Sequence, residues 1–273
     1  MSLSAKTAVR YPDAVKTLRA HANPVRAKTA AGFFRPPTVG INRTKVPETA
    51  RRTTKPGIRN SQPSPNQRDV FLGVATPQLR RIARQFYTLP LPDVRKLMAS
   101  RVHEERSLGH AVLRMRFEDA HKENAYKSAD ATEQEKLFGF YVRHRGFIRA
   151  WDGVDDSAPY IVGRYLLTRN KTLLYELAKS ANLWDRRIAM VSTWWFIRNG
   201  QIADTLKLAK ILLHDKQDLI HKACGWMLRE VGKKDVQALR KFLDRHKNAM
   251  PRTMLRYAIE KFGEKERQGY LKK

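Results

Sequence analysis

One stretch near the middle of the chain holds the residue types whose spacing best suggests chemistry. Trp151 and Asp155 are four residues apart, so a helix would place them one above the other on one face. Pro159 cannot donate to the carbonyl four residues back, so the helix should kink or begin anew there. The stretch therefore predicts an indole and a carboxylate side by side at an irregular point. The alternative is a plain helix start, with Asp156 or Ser157 as N-cap and Trp151 in the core.

Tryptophan next to arginine at helical spacing is the second pattern with functional meaning. Trp184 and Arg187 are three residues apart, and so are Trp226 and Arg229. Each pair could present an indole for stacking and a guanidinium for bidentate phosphate contact on one side of a helix. The alternative is that the indoles are core residues and the arginines pair with acids such as Glu230.

Other catalytic signatures are weak. The eight histidines form no His-x-x-x-His pair with an acidic ligand nearby, so we expect no catalytic metal and no cofactor. The chain has no glycine-rich phosphate loop and no nucleophile elbow, although spacing alone leaves Ser–His–Asp chemistry open. Cys224, the single cysteine, lies in an apolar helical pattern and is expected to be a buried structural thiol.

Four motifs carry a resemblance to a known family. They are WDGVD at 151–155, LWDRRIA at 183–189, KACGWMLRE at 222–230 and PRTMLRYA at 251–258. In this order they resemble the DNA alkylation repair proteins, the AlkD-type alkylpurine DNA glycosylases. The resemblance covers residues 68–271 well and 12–34 weakly. It implies an all-α fold, an α-solenoid of HEAT-like helical repeats, whose concave basic face holds duplex DNA.

The same resemblance implies roles for individual residues. Asp155 matches the catalytic carboxylate, and Trp151 and Trp226 match the aromatic residues that pack beside the deoxyribose of the lesion. Arg187 and Arg229 match residues that grip DNA phosphates. The predicted site is therefore catalytic Asp155, Trp151 and Trp226, with DNA contacts at Arg187, Arg229, Trp184 and Lys222.

In one region the chain departs from the family pattern. The family commonly places an aromatic residue, often tyrosine, in the N-terminal helical region facing the site. Residues 35–67 are proline-rich and contain no aromatic residue. Either Phe33 or Phe34 takes that place, or the contact is lost.

The resemblance suggests hydrolysis of the N-glycosidic bond of a purine alkylated at N3 or N7. Such a purine is cationic, its bond to the sugar is already weakened, and the leaving base needs no protonation. One carboxylate can then suffice. We expect Asp155 to stabilise the oxocarbenium-like sugar and aim a water at its anomeric carbon. The indoles of Trp151 and Trp226 would favour that cation through their π faces.

The composition points to a polyanionic partner. The 273 residues include 54 Lys and Arg against 26 Asp and Glu, a net charge of +28, which favours nucleic acid. No apolar run approaches the length of a membrane span. We expect a monomer that binds double-stranded DNA containing alkylated bases, with no membrane partner. The basic N-terminus also resembles an organelle transit peptide, but a cytoplasmic, nucleoid-associated protein is the simpler interpretation.

The pattern along the chain divides it into three parts. Residues 1–34 predict two short helices broken at Asn23–Pro24, and 35–67 predict a flexible basic linker or loop. Residues 68–273 form the predicted repeat domain, helical almost to the end. Its helices are predicted from Thr76–Pro77 onward and then at about 92–99, 102–119, 132–146, 150–168, 171–179, 182–199, 202–213, 217–232, 234–246 and 251–262.

Three of these helices resemble one another. Aligning Arg106, Arg187 and Lys222 gives separations of 81 and 35 residues. If the first interval holds two units, the period is near that of HEAT or armadillo helical pairs. Two other functions fit such a solenoid: a non-catalytic nucleic-acid-binding repeat protein, and a scaffold that holds an acidic protein segment.

Overall fold

The described part of the chain is all-helical. The computed structural model describes residues 9–34, 69–123 and 130–272, and within them the only β-type pairing is an isolated bridge between Val70 and Val102. The predicted linker 35–67 lies outside the described residues. The helices are α1 Tyr11–Arg19, α2 Pro24–Phe33, α3 Thr76–Gln85, α4 Leu91–Met98, α5 His103–Glu123, α6 Asp130–His144, α7 Trp151–Asp155, α8 Arg164–Leu166, α9 Thr172–Leu177, α10 Leu183–Arg198, α11 Ala203–Ile211, α12 Asp218–Lys234, α13 Val236–His246, α14 Arg252–Ala258 and α15 Glu264–Leu271.

Most predicted helices are present, with two differences in the described residues. The predicted helix 150–168 is divided into α7, a π-helix at Pro159–Gly163 and α8. The predicted helix 251–262 ends at Ala258, and the unpredicted α15 follows it. Glycine at position 263 is the N-cap of α15 and separates the two helices.

The two N-terminal helices form as predicted. Asn23 caps α2 through its side chain, which accepts from the amide of Arg26, and Pro24 occupies the first turn. Ala14 and Leu18 of α1 are buried in the same hydrophobic core as the repeat helices. The domain boundary at residue 34 stays a prediction.

The C-terminal half consists of two layers of helices. Helix α12 packs against α10 and α14, and we call these three helices the site layer. Helices α9, α11 and α13 pack against this row, with α9 on α10, α11 on α10 and α12, and α13 on α12; we call them the back layer. The prediction of an all-α helical repeat fold is confirmed. The concave basic face stays a prediction.

A repeated loop precedes three of the long helices. Ser100 accepts from the amide two residues on through its hydroxyl, and its carbonyl accepts from the side chain of Arg106. Ser180 makes the same two contacts, the second with Arg186. At Asp215 the carboxylate accepts from the amide of Gln217, and the carbonyl contacts His221. The sequence alignment through Arg187 and Lys222 is therefore wrong by one residue.

Pro159 interrupts the helix that follows Trp151, as the sequence predicts. Helix α7 ends at Asp155, and Pro159 opens the π-helix with Ala158 as N-cap, whose side chain makes no capping hydrogen bond. The carbonyl of Ser157 accepts from the amides of Tyr160 and Ile161, as it would at the helix start of the alternative interpretation, but its hydroxyl donates to the carbonyl of Gly153 and caps no amide. The break places Asp155 at the last position of a short helix.

Candidate functional site

The Asp155 carboxylate and the Arg187 guanidinium form the centre of the candidate site. Arg187 Nε and Nη2 donate to the two oxygens of Asp155 at 2.9 and 2.7 Å. Arg187 Nη1 donates to the carbonyl of Leu219 at 2.5 Å. One guanidinium therefore joins the end of α7, the first half of α10 and the first turn of α12, and it fixes the direction of the carboxylate.

The two members of this pair differ in exposure. The Asp155 side chain is 18% exposed, whereas the Arg187 side chain is only 6% exposed. Burial raises the pKa of the Asp155 carboxyl, and the charge and hydrogen bonds of Arg187 oppose that rise. The bidentate contact favours the carboxylate form. Asp155 is therefore an oriented acid on a side chain that is mostly buried but keeps some contact with solvent.

Aromatic side chains surround the half-buried Trp151. Its ring stacks on Phe34 at 5.6 Å between centroids and meets Phe33 edge-on at 5.8 Å. Phe34 also stacks on Phe71 at 5.6 Å. Phe33 is 70% exposed. Phe33 and Phe34 are the two candidates for the N-terminal aromatic residue that faces the site. The structure places both of them beside Trp151.

A buried histidine pair lies beneath these rings. His103 stacks on Phe71 at 5.0 Å between centroids and lies tilted against Phe34 at 4.5 Å, and its Nε2 is 2.9 Å from a carboxylate oxygen of Asp152. His110 is buried nearby, and burial, with the charge of Arg106 adding, lowers its pKa to about 4. His110 is therefore neutral at pH 7. The sequence offered no signal for this cluster, because His103 and Asp152 are 49 positions apart.

The three carboxylates of this stretch bind three different partners. Asp152 contacts His103, and Asp155 contacts Arg187. Asp156 accepts from Arg114 at 2.8 Å and from Arg80 at 3.1 Å. The Arg114 guanidinium also lies 3.3 Å from the centroid of the Tyr160 ring. Each acid therefore has a fixed position, and of the three only Asp155 is held by two parallel hydrogen bonds from a single guanidinium.

Trp184, Trp226 and Arg229 contribute no hydrogen bond or ion pair to Asp155 among the described residues. Trp184 and Trp226 are half-buried against the core, and within the described residues neither makes a ring contact with Trp151. Arg229 binds Glu260 and lies 3.7 Å from Glu230. Its guanidinium is therefore paired with acids, as the alternative interpretation of the Trp226–Arg229 spacing predicts.

Lys222 and Arg187 differ in how accessible they are to a ligand. Lys222 is 42% exposed and pairs with Asp218 at 2.8 Å. Arg187 is buried with three of its nitrogens bonded to protein oxygens. Contacts of Lys222, Arg187, Arg229 and Trp184 with DNA stay predictions.

Within the described ranges, neither a metal cluster nor a membrane span is found. No group of three or more His, Cys, Asp or Glu side chains there could hold a metal ion. No helix of those ranges is long and apolar enough to cross a bilayer.

Comparison with known proteins gives one family and one similar solved structure of note. A family model described as DNA alkylation repair enzyme matches residues 14–262. A solved structure of a predicted DNA alkylation repair enzyme from Enterococcus faecalis is similar in fold, with a TM-score of 0.55 and 16% identity. The match covers 72% of this chain and 90% of that one. No curated protein matches the chain.

Proposed function

The chain belongs to the family of DNA alkylation repair enzymes, and we propose that it is a DNA glycosylase acting on alkylated purines. The reaction is hydrolysis of the N-glycosidic bond of purines made cationic by alkylation at N3 or N7. The substrate is duplex DNA, and the product is the free alkylated base. The observation that carries this proposal is the Asp155 carboxylate, which Arg187 orients, on a side chain that is 18% exposed and on the helix that begins with Trp151.

Asp155 is proposed to stabilise the sugar as positive charge develops at its anomeric carbon. A fixed anion in a partly buried site interacts with a developing cation more strongly than it would in water. The same carboxylate would orient the attacking water. The base leaves with its positive charge neutralised by the bond electrons, so no second catalytic acid is required. This chemistry is consistent with the other two acids, Asp152 and Asp156, being engaged by His103 and Arg114.

Trp151 and Trp226 are proposed to flank the deoxyribose. An indole face attracts a cation, and the attraction is larger where water is excluded. The contacts of Trp151 with Phe33 and Phe34 hold the ring in place and extend the aromatic wall toward the N-terminal helices; Phe34 covers one face of the indole, so the sugar would meet the other face.

Arg187 is proposed to orient Asp155 as its main role, with any phosphate contact through its remaining N–H groups. Its burial and its bidentate contact favour orientation. Arg229, Lys222 and Trp184 are proposed as DNA contacts at the surface. The net charge of +28 supports a polyanionic ligand. We further propose that the protein acts as a monomer in the cytoplasm, on nucleoid DNA.

The deciding experiment is base release from N7-methylated duplex DNA by the wild type and by Asp155→Asn. The exchange removes the anion but keeps a side chain of the same shape, so excision of 7-methylguanine should fall by about 10²–10³-fold. Affinity for the duplex should stay near that of the wild type. Asp244→Asn, a matched exchange on α13 in the back layer, should leave excision unchanged.

Three results would count against the proposal. An Asp155→Asn enzyme as fast as the wild type would remove Asp155 from the mechanism. Wild-type protein that binds the duplex and releases no base would indicate a non-catalytic nucleic-acid-binding repeat protein. Failure to bind duplex DNA at low salt would favour a scaffold for an acidic protein segment.

A further inference from the structure

A groove of about 380 Å³ lies between α11 and α13 in the back layer. Five of the side chains that line it are basic: Lys207, Lys210, Lys241, Arg245 and His246. The lysines and the arginine are exposed, and none of them lies within ion-pair distance of a carboxylate in the described residues. Such a concentration of unpaired cations is electrostatically unfavourable until an anion binds.

The acidic residues on and next to α11 and α13 hydrogen-bond other groups, and none of them lies within ion-pair distance of a groove cation in the described residues. Asp204 accepts from the Tyr175 hydroxyl at 2.5 Å. Asp235 caps α13 by accepting from a backbone amide at 2.8 Å. Asp244 accepts from the Tyr270 hydroxyl at 3.1 Å.

Two further basic side chains lie on α13, one beside the groove and one in its lining. Arg240, on a different face of α13, is paired with Glu266 at 2.8 Å. The pKa of His246 is lowered, chiefly by burial and in addition by the charges of Lys210 and Arg245. The groove therefore presents to a ligand basic side chains that are not paired with a carboxylate.

The floor of the groove is apolar. It is formed by Leu206, Ala238 and Phe242, and the aliphatic stems of the lysines add to its walls. Phe242 is buried with its ring against His246 at 4.7 Å, so its face is not free to stack on a nucleobase. A phosphodiester strand would use the cations but would leave the apolar floor unfilled.

We propose that this groove binds an acidic segment of a partner protein that inserts an apolar side chain between flanking carboxylates. The apolar side chain fills the space above Leu206 and Phe242, and the carboxylates meet the four exposed cations. A second copy of this basic chain lacks the required complementary charge. The site is separate from Asp155 and does not depend on the glycosylase reaction.

The test uses a fluorescent synthetic peptide with one leucine flanked by glutamates, and a second peptide with serine in place of leucine. Dissociation constants are measured by anisotropy on the full-length protein at physiological ionic strength. The groove variant combines Lys210→Gln with Lys241→Gln. The control combines Lys179→Gln with Lys265→Gln, which removes the same net charge at exposed positions outside the groove.

We expect the leucine peptide to bind the wild type and the control equally, and the groove variant about tenfold more weakly, a loss of about 1.4 kcal/mol. The serine peptide should bind more weakly than the leucine peptide to the wild type. Absence of leucine-peptide binding, or equal loss in the control, overturns the proposal. Equal affinity for both peptides overturns the role of the apolar floor. Displacement of the peptide by duplex DNA, with DNA affinity reduced in the groove variant alone, assigns the groove to nucleic acid instead.

Discussion

At the scale of single residues, the ionisation of Asp155 depends on Arg187. Burial favours the neutral acid, and the guanidinium with its two hydrogen bonds favours the anion. The proposed chemistry needs the anion. In the proposed mechanism the Arg187 side chain acts through the protonation state and direction of the carboxylate, without having to touch the substrate.

Replacing Arg187 should change the pH dependence of excision. Arg187→Met removes the charge and the hydrogen bonds that lower the pKa of Asp155. The effect of burial is then no longer opposed, so the folded-state pKa of Asp155 rises further above its ordinary value. The carboxylate is then protonated at higher pH, and the acidic limb of the rate profile should move toward neutral pH. Single-turnover release of 7-methylguanine measured across pH, with circular dichroism as a folding control, checks this.

Arg187→Lys is the matched comparison, since it keeps the positive charge but loses the bidentate geometry. Its acidic limb should lie between those of the wild type and Arg187→Met. If Arg187 acts only on phosphate, both variants would weaken DNA binding while the acidic limb of the bound complex would not move.

Single residues also show what local spacing can and cannot predict. The spacing of Trp151 and Asp155 predicted their common element and the break at Pro159, because a helix period and a missing amide are local properties. The contact between Asp155 and Arg187 spans 32 positions, and nothing in either motif indicated that they bind each other. The sequence alone therefore assigned Arg187 to the DNA and had no means of assigning it to Asp155.

At the scale of elements, the repeated loop explains an error in the alignment of the helices. The side chains that bind the loop carbonyls are Arg106, Arg186 and His221. Because residues 186 and 187 are both arginine, the sequence alignment matched Arg106 with Arg187, whereas the loop contacts match it with Arg186. The Arg186 side chain binds the loop carbonyl of Ser180. Arg187 is the next residue of α10, so it lies on a neighbouring face of the helix and binds Asp155. The register of the repeat thus determines which arginine contacts the site.

The π-helix that follows Asp155 is held close to α10 by the absence of a side chain at Gly163. A Cβ built at this glycine would lie 2.2 Å from the carbonyl oxygen of Ser192 and 3.0 Å from Cβ of Trp195. Gly163→Ala should therefore push the two elements apart and lower the free energy of unfolding by about 1–3 kcal/mol. Urea denaturation measures the change.

Gly139 in α6 is the control for this exchange, because a Cβ there meets no atom within 4 Å. Gly139→Ala should raise the free energy of unfolding by about 0.5–1 kcal/mol, through the better helix propensity of alanine. A Gly163→Ala protein as stable as the wild type would show that α10 and the π-helix can separate without cost.

At the scale of the whole molecule, the chain has 54 basic and 26 acidic residues. This excess of positive charge predicted a polyanionic ligand but not where that ligand binds. Many of the arginines in the described part are bound to acids or carbonyls, including Arg106, Arg114 and Arg186. Composition counts these residues as available to DNA, whereas the fold uses them to hold helices together. The family resemblance and the helical periodicity predicted the all-α repeat fold, since both are encoded in every helix.

The proposed DNA contacts of Arg229 and Lys222 should contribute to the salt dependence of DNA affinity. Arg229 is paired with Glu260, which is 45% exposed, and Lys222 with Asp218, which is 49% exposed. The Lys222–Asp218 pair is exposed on both sides, and exposed ion pairs contribute about 0–1 kcal/mol, so a phosphate can displace Asp218 at low cost. Arg229 is only 19% exposed, so a phosphate would have to reach it from the side of the exposed Glu260. Arg229→Gln and Lys222→Gln should each reduce the slope of log affinity against log salt by about one unit on undamaged duplex. Lys265→Gln should leave the slope unchanged. Slopes equal to that of the wild type for the first two variants would place the DNA on another surface.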